Sequence, residues 1–265
     1  MGFFDLFKKK DSKPEVPKQN NLLLSMPMFN SNEKFSLDAL INDLKTYWHL
    51  DISEVSGNDE VATFDINGES VAVAIMPVPL PKEELEDIYA YNYLWKEASE
   101  DLKTMTNHAI VSVLASETDV VERFKIFTKL NASILRTTTN SLGIYKGNQT
   151  LLLPKALYLD FADFLKEDML PIQLWVYIGI VNNEKTNSVY TYGLEAFNKT
   201  EIEVIESSLS SNDLYEFLLQ ILDYVIGSNV FLKDGETIGF SAEQKIKITQ
   251  SKAIFLEGDS LKLEH

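Results

Sequence analysis

The chain contains no cysteine, which excludes disulfides, thiolate metal sites and cysteine nucleophiles by counting and makes a reducing, cytoplasmic setting the expected one. Arginine is nearly as scarce. Arg123 and Arg136 are the only two among 24 basic residues, against 40 acidic ones, and the formal charge is -16. A field of that sign repels a phosphate backbone, so nucleic acid is not an expected partner. No apolar run approaches the roughly 18 residues a membrane-spanning helix needs. Missing too are G-x-G-x-x-G, the P-loop, H-E-x-x-H and G-x-S-x-G, so no catalytic residue, cofactor or resident metal is expected and an enzyme is the less favoured class. Of the histidines, His49 and His108 stand far apart in the chain and make no ligand pair.

What is present is a globular composition, 45% hydrophobic and 11% aromatic over 265 residues, enough for one large core or two packed subdomains. Residues 1–20 read as a tail and linker. Their apolar part is too short for a secretory core, and Leu6 stands where myristoylation needs Ser or Thr. Phe3, Phe4, Leu6 and Phe7 ahead of Lys8, Lys9 and Lys10 nevertheless suit a weak contact with an anionic membrane surface. At the other end, Leu263-Glu264-His265 reads as a purification-tag remnant.

Between these ends the pattern divides into an N-terminal half, 21–116, and a C-terminal half, 117–262. "NLLLSM" is a buried strand, and Ser36 caps a helix with Leu37, Leu40, Ile41, Leu44 and Trp48 on one face. "VATFDI" and "SVAVAIM" alternate with period two around Asn67-Gly68, a two-residue hairpin signal. A long helix follows from Pro81 through "KEELEDIYAYNYLWKEASEDL", stacking Tyr89 over Tyr93 and Tyr91 over Trp95. "HAIVSVLA" closes a strand, helix, strand, strand, helix, strand order. A bridging helix over 119–135 precedes a similar order: strands at "SLGIYKG", "IQLWVYIGIV", "SVYTYG" and "NVFL", and a helix around Leu214–Val225 that Gly227 ends. The expected fold is α+β, two packed ferredoxin-like (βαββαβ) halves with antiparallel sheets and helices on one face.

Carboxylates at Asp160, Asp163 and Glu167, and at Glu83 and Asp87, share helix faces. A solvated face explains them better than a cation site, which needs more oxygens and a wrapping loop. The segment "TYGLEAFNKTEIEV", Thr191 to Val204, reads as a corner: Gly193 permits the break, Leu194 and Phe197 plug the core, and "TEIEVIES" resumes as a strand with its acids outward. Glu195 beside that glycine keeps a functional reading open.

"HAIVSVLA", "LGIYKGNQTLL", "LPIQLWVYIGI", "TYGLEAFNKTEIEV" and "LKDGETIGFSAEQKIKITQSKAIFLEGDSLKL", in this order, resemble the bacterial domain-of-unknown-function family 4261 over about residues 20–262. Two departures stand out. Lys146-Gly147-Asn148 occupies the place of a Trp-Gly-Asn step, and His108 is kept where relatives repeat histidine, with Ile110 at the second position. The resemblance implies relatives and no activity. The expected function is therefore a bacterial cytoplasmic protein-binding module, immunity-like or adaptor-like, with a possible protein partner. The alternative is an enzyme or small-ligand receptor using a cleft between the halves. On either reading the residues to examine are His108, Tyr145, Asn148, Trp175 and Glu195.

Overall fold

The computed structural model describes residues 22–114, 116–239 and 245–265; the tail 1–20, and the membrane contact expected of it, lie outside them. β1 (Leu23–Asn30) is apolar on both faces, with Leu23 and Phe29 in one core and Met28 in another. α1 (Leu37–Thr46) starts at Ser36, whose hydroxyl accepts from the Ala39 amide, and buries Leu37, Leu40 and Leu44. β2 (Ile52–Gly57), β3 (Val61–Ile66) and β4 (Glu69–Met76) form a meander. The β3–β4 turn is Asn67-Gly68, with φ of 51° and 87°, the pair of positive values that a type I′ hairpin requires.

α2 (Lys82–Tyr89) and α3 (Ala98–Asp101) precede β5 (Met105–Val113), α4 (Val120–Thr137), β6 (Ser141–Lys146), β7 (Leu151–Pro154) and α5 (Lys155–Ala162). β8 (Tyr177–Asn182), β9 (Asn187–Tyr192), β10 (Ile202–Ser207), α6 (Ser211–Gly227), β11 (Thr237–Ile238), β12 (Ile246–Lys252) and β13 (Asp259–Glu264) follow. Two sheets result, a seven-stranded one in the order β2-β3-β4-β5-β1-β6-β7 and a six-stranded one in the order β11-β12-β13-β10-β9-β8.

The α+β class is as expected; the ferredoxin-like order is not what the strands adopt. A split βαβ unit brings parallel strands together at its centre, whereas every pairing in the seven-stranded sheet is antiparallel, including β1 with β5 and β1 with β6. Among the described residues the one parallel pair, β10 with β13, belongs to the other sheet. The seven-stranded sheet takes in β1 to β7 and the six-stranded one β8 to β13, so the chain passes from one sheet to the other between β7 and β8. A single buried cluster runs from β1 and α4 through to α6 and β13.

Helices cover both faces of the first sheet, not one. α1, α4 and α5 lie over the large core, while Leu80, Leu85, Ile88, Trp95, Ala98 and Leu102 cover Met28, Tyr145 and Leu152 on the opposite face. The reason is in β1, β6 and β7, which carry large apolar side chains on both faces, Phe29, Ile144 and Leu153 on one and Met28, Tyr145 and Leu152 on the other, and need cover on both sides.

The long helix predicted from Pro81 breaks at Tyr89. Tyr93 leaves it to donate its hydroxyl to the Ile178 carbonyl at 2.8 Å. Trp95 packs on β6, where a Cβ at Gly143 would lie 2.6 Å from its ring. The stacked tyrosine faces expected there are therefore docked on two different sheets. α6 ends at Gly227, as expected, and the left-handed residue beyond it is Asn229, with φ 50°. No strand forms at "NVFL".

Glu203 faces inward, against the outward placement expected of the acids in β10. It is fully buried and accepts from Lys262 at 2.6 Å, Ser260 at 2.7 Å and the Phe255 amide at 2.8 Å. Burial pushes its pKa up, but those hydrogen bonds together hold it below the ordinary value. The stretch expected to be a tag remnant continues β13: Leu263 is buried opposite Ile248, and Glu264 meets Lys247 at 3.2 Å.

Candidate functional site

Where β1, the first turn of α4 and the end of β9 meet, the chain leaves an open cleft of about 730 Å³. Its walls come from both sheets. Leu22 to Leu24 and the segment 116–120 form one side, the turn 147–149 another, residues 192–198 the third, and Asn229 and Phe231 after α6 close the rim.

Each wall is held by local chemistry. Asp119 caps α4, accepting from the Val121 and Glu122 amides, so the helix N-terminus is already satisfied. Thr150, Gly193, Asn198 and Asn229 all take positive φ and reverse the chain around the opening. Glu201 fixes the Gly193 corner. Its carboxylate accepts from the Thr191 hydroxyl at 2.6 Å and from the Gly193 and Leu194 amides at 2.8 Å. Burial raises its pKa, while these same donors pull the other way. Leu194 and Phe197 plug the core as the corner reading requires.

Behind the 116–120 wall lies an ion pair that sequence reasoning passed over. Arg123 is buried, with its Nε 3.4 Å from Glu69 and its Nη2 donating to the Leu114 carbonyl at 2.7 Å. Burial lowers its pKa and Glu69 opposes that shift. Glu69 also accepts from the hydroxyls of Ser116 and Thr118, tying the start of β4 to the cleft. The available signal was the placement of one of only two arginines between Val120, Phe124 and Phe127 on a core-facing helix side.

Lys146 is a second buried base. Its amine donates to the Leu174 carbonyl at 2.6 Å and sits 5.5 Å from the Phe124 ring centre and 5.4 Å from that of Phe127. Burial pushes its pKa down to about 7. Lys146 thus fills core space beside two rings that line the cleft.

Of the five candidate residues, Asn148 and Glu195 line the cleft. Trp175 stands behind it, fully buried, donating its indole N–H to the Thr128 hydroxyl at 2.8 Å and packing on Phe124 and Phe197. His108 and Tyr145 are elsewhere, on the face of the first sheet covered by α2 and α3. His108 Nδ1 meets the Val78 carbonyl at 2.8 Å and burial lowers its pKa. Tyr145 reaches Glu84 at 3.4 Å, with its pKa raised by burial and then by that carboxylate. Four residues that matter at the opening, Gln149, Tyr192, Glu201 and Phe231, were not among the candidates. Two of them, Tyr192 and Phe231, are large and solvent-facing, at 38% and 53% exposure. Among the described residues no group of three or more His, Asp or Glu is placed to hold a metal ion, and no described helix is long and apolar enough to cross a membrane.

The α+β scaffold thus carries an open cleft, aromatic at the rim and lined with carboxylate and amide side chains. Residues 190–264 match the family model described as Domain of unknown function (DUF4261), which supports a DUF4261 assignment for that segment. The match runs from the end of β9 to the end of β13 and takes in the Gly193 corner and the Phe231 rim; the broader span 20–262 suggested by the sequence is matched only there. Comparisons with curated proteins and with solved structures gave no match.

Proposed function

We propose that the chain is a bacterial, cytoplasmic protein-binding module of the immunity-like or adaptor-like kind, which takes a segment of a protein partner into the cleft. The observation that carries this reading is the pair of solvent-facing rings, Tyr192 and Phe231, at the mouth of a cleft walled by polar side chains. Exposed aromatics beside a concavity are the usual anchors of binding energy. The dispersal of the five candidate residues speaks against a shared acid–base centre among them.

The test is affinity capture from the native host with the unaltered protein and with Tyr192→Ala/Phe231→Ala in parallel, followed by titration of the captured partner's purified segment. A partner retained by the first and lost by the second supports the reading. Equal capture by both sinks it. The cleft volume of about 730 Å³ also lies in the range of small-molecule sites. That observation favours the second reading, a small-ligand receptor, which a thermal-shift screen of polar metabolites tests.

A further inference from the structure

The cleft carries four carboxylates on its lining, Glu117, Asp119, Glu195 and Glu201, and one guanidinium, Arg123. The guanidinium is already matched by Glu69. At the rim Lys199, held by Asn229 and the Val230 carbonyl, sits 3.9 Å from the centre of the Phe231 ring; four carboxylates against these two cations still leave the opening net negative beside the Tyr192 ring and the free side of the Phe231 ring. Its complement is a short segment that carries cations next to apolar side chains.

The chain itself contains such a segment. Phe3, Phe4, Leu6 and Phe7 run directly into Lys8, Lys9 and Lys10, a block that stands out in a protein of formal charge -16. It is also attached at the right place. Leu22, Leu23 and Leu24 are part of the cleft lining, so the polypeptide enters the described fold at the cleft. Residues 11–21 separate Lys10 from Leu22, and a linker of that length allows a reach of up to about 40 Å. Every wall is within range, and tethering raises the local concentration of the segment to the order of millimolar.

We propose that the cleft is a docking site for the chain's own segment Phe3–Lys10, which competes with an external ligand for the same opening. The lysines meet Glu117 and Glu195, and the phenylalanines meet Tyr192 and Phe231. An incoming partner must displace a tethered competitor, so the apparent affinity of full-length protein is lower than that of the open cleft. The inference goes beyond the binding role proposed above and stands on the cleft alone; it can fail while a partner is still captured, and hold while none is found.

The absence of cysteine makes the experiment direct. A nitroxide on Asp5→Cys of the full chain is the sole label, read through paramagnetic broadening of backbone amide resonances. Expected at low salt is selective broadening of Gly193, Ala196 and Asn229, with Val55 and Val61 on the β2–β3 hairpin unaffected. The effect falls at least about twofold near 0.5 M salt, where the screening length is roughly 4 Å, and disappears in Lys8→Glu/Lys9→Glu/Lys10→Glu. Broadening that is absent, equal at both places, or intact in the triple variant overturns the proposal. So does a label that leaves the cleft resonances untouched yet binds phosphatidylserine vesicles, since the segment would then be a membrane contact.

Discussion

The Lys146 amine donates to the Leu174 carbonyl at 2.6 Å, a bond that ties β6 of the first sheet to the turn leading into β8 of the second. It holds a base in the interior with its pKa pushed down to about 7 by burial. The unfolded chain binds that proton up to about pH 10.4. Between those two values the unfolded state is the more protonated, so stability rises with pH; below about 7 the full penalty of burying the ammonium applies. Lys146→Met removes the penalty and one hydrogen bond. The variant is expected to gain on the order of 1–3 kcal/mol at pH 6, with the gain shrinking toward pH 10. Urea unfolding at pH 6, 8 and 10 checks this, and a variant less stable at pH 6 contradicts it.

Glu203 gives a slope of the same sign in the acid range, but there it is the charged form that the fold stabilises. Its pKa is held below the ordinary value in the fold, so its stabilisation is complete above the unfolded carboxylate value and is lost as pH falls through the folded one. Glu203→Gln leaves Lys262 without its 2.6 Å partner and is expected to cost about 2–4 kcal/mol at pH 7. The difference from wild type should narrow below about pH 4. Parallel melts from pH 3 to 8 distinguish this from a constant offset, which would place the loss in packing.

The Gly193 corner depends on Glu201. Removing the carboxylate in Glu201→Ala strands the Gly193 and Leu194 amides and is expected to destabilise by about 2 kcal/mol. Glu201→Gln keeps an acceptor and should lose less. Chemical unfolding orders the two, and equal losses would contradict the cap.

Two glycines separate by what they touch. A Cβ at Gly143 would lie 2.2 Å from the Leu153 carbonyl oxygen, a backbone atom, whereas one at Gly179 would meet the Tyr190 ring at 2.1 Å. Backbone in a paired strand cannot move aside as a ring can. Gly143→Ala is expected to cost about 3 kcal/mol or more and Gly179→Ala about 1–2. Midpoints from differential scanning fluorimetry test the order, which is the falsifiable part.

Local rules were legible where the interaction is local. The Asn67-Gly68 hairpin, the Ser36 cap, the periodic faces of α1, α4 and α6, and the Gly193 corner with Leu194 and Phe197 inside all follow from spacing and turn chemistry that neighbours in sequence decide. The candidate site was legible only in part. Asn148 and Glu195 stand beside glycine turns, a signal visible in the sequence, and both reach the cleft. His108 and Tyr145 stand out only as chemical types, and strand register places them on the sheet face covered by α2 and α3.

By itself, then, the sequence determined the α+β class, most element positions, the negative field and the kinship of its C-terminal segment, because composition and short-range periodicity carry that information. Tertiary structure alone decided that β1 pairs with both β5 and β6, that Tyr93 and Trp95 leave their helix for two different sheets, and that Glu203 turns inward. It also decided that Leu22, Asn148, Glu195 and Phe231 border one opening. Each of these depends on contacts between residues tens to hundreds of positions apart. Their free energies come from burial and pairing across the assembled core, and they override local preference wherever the two disagree.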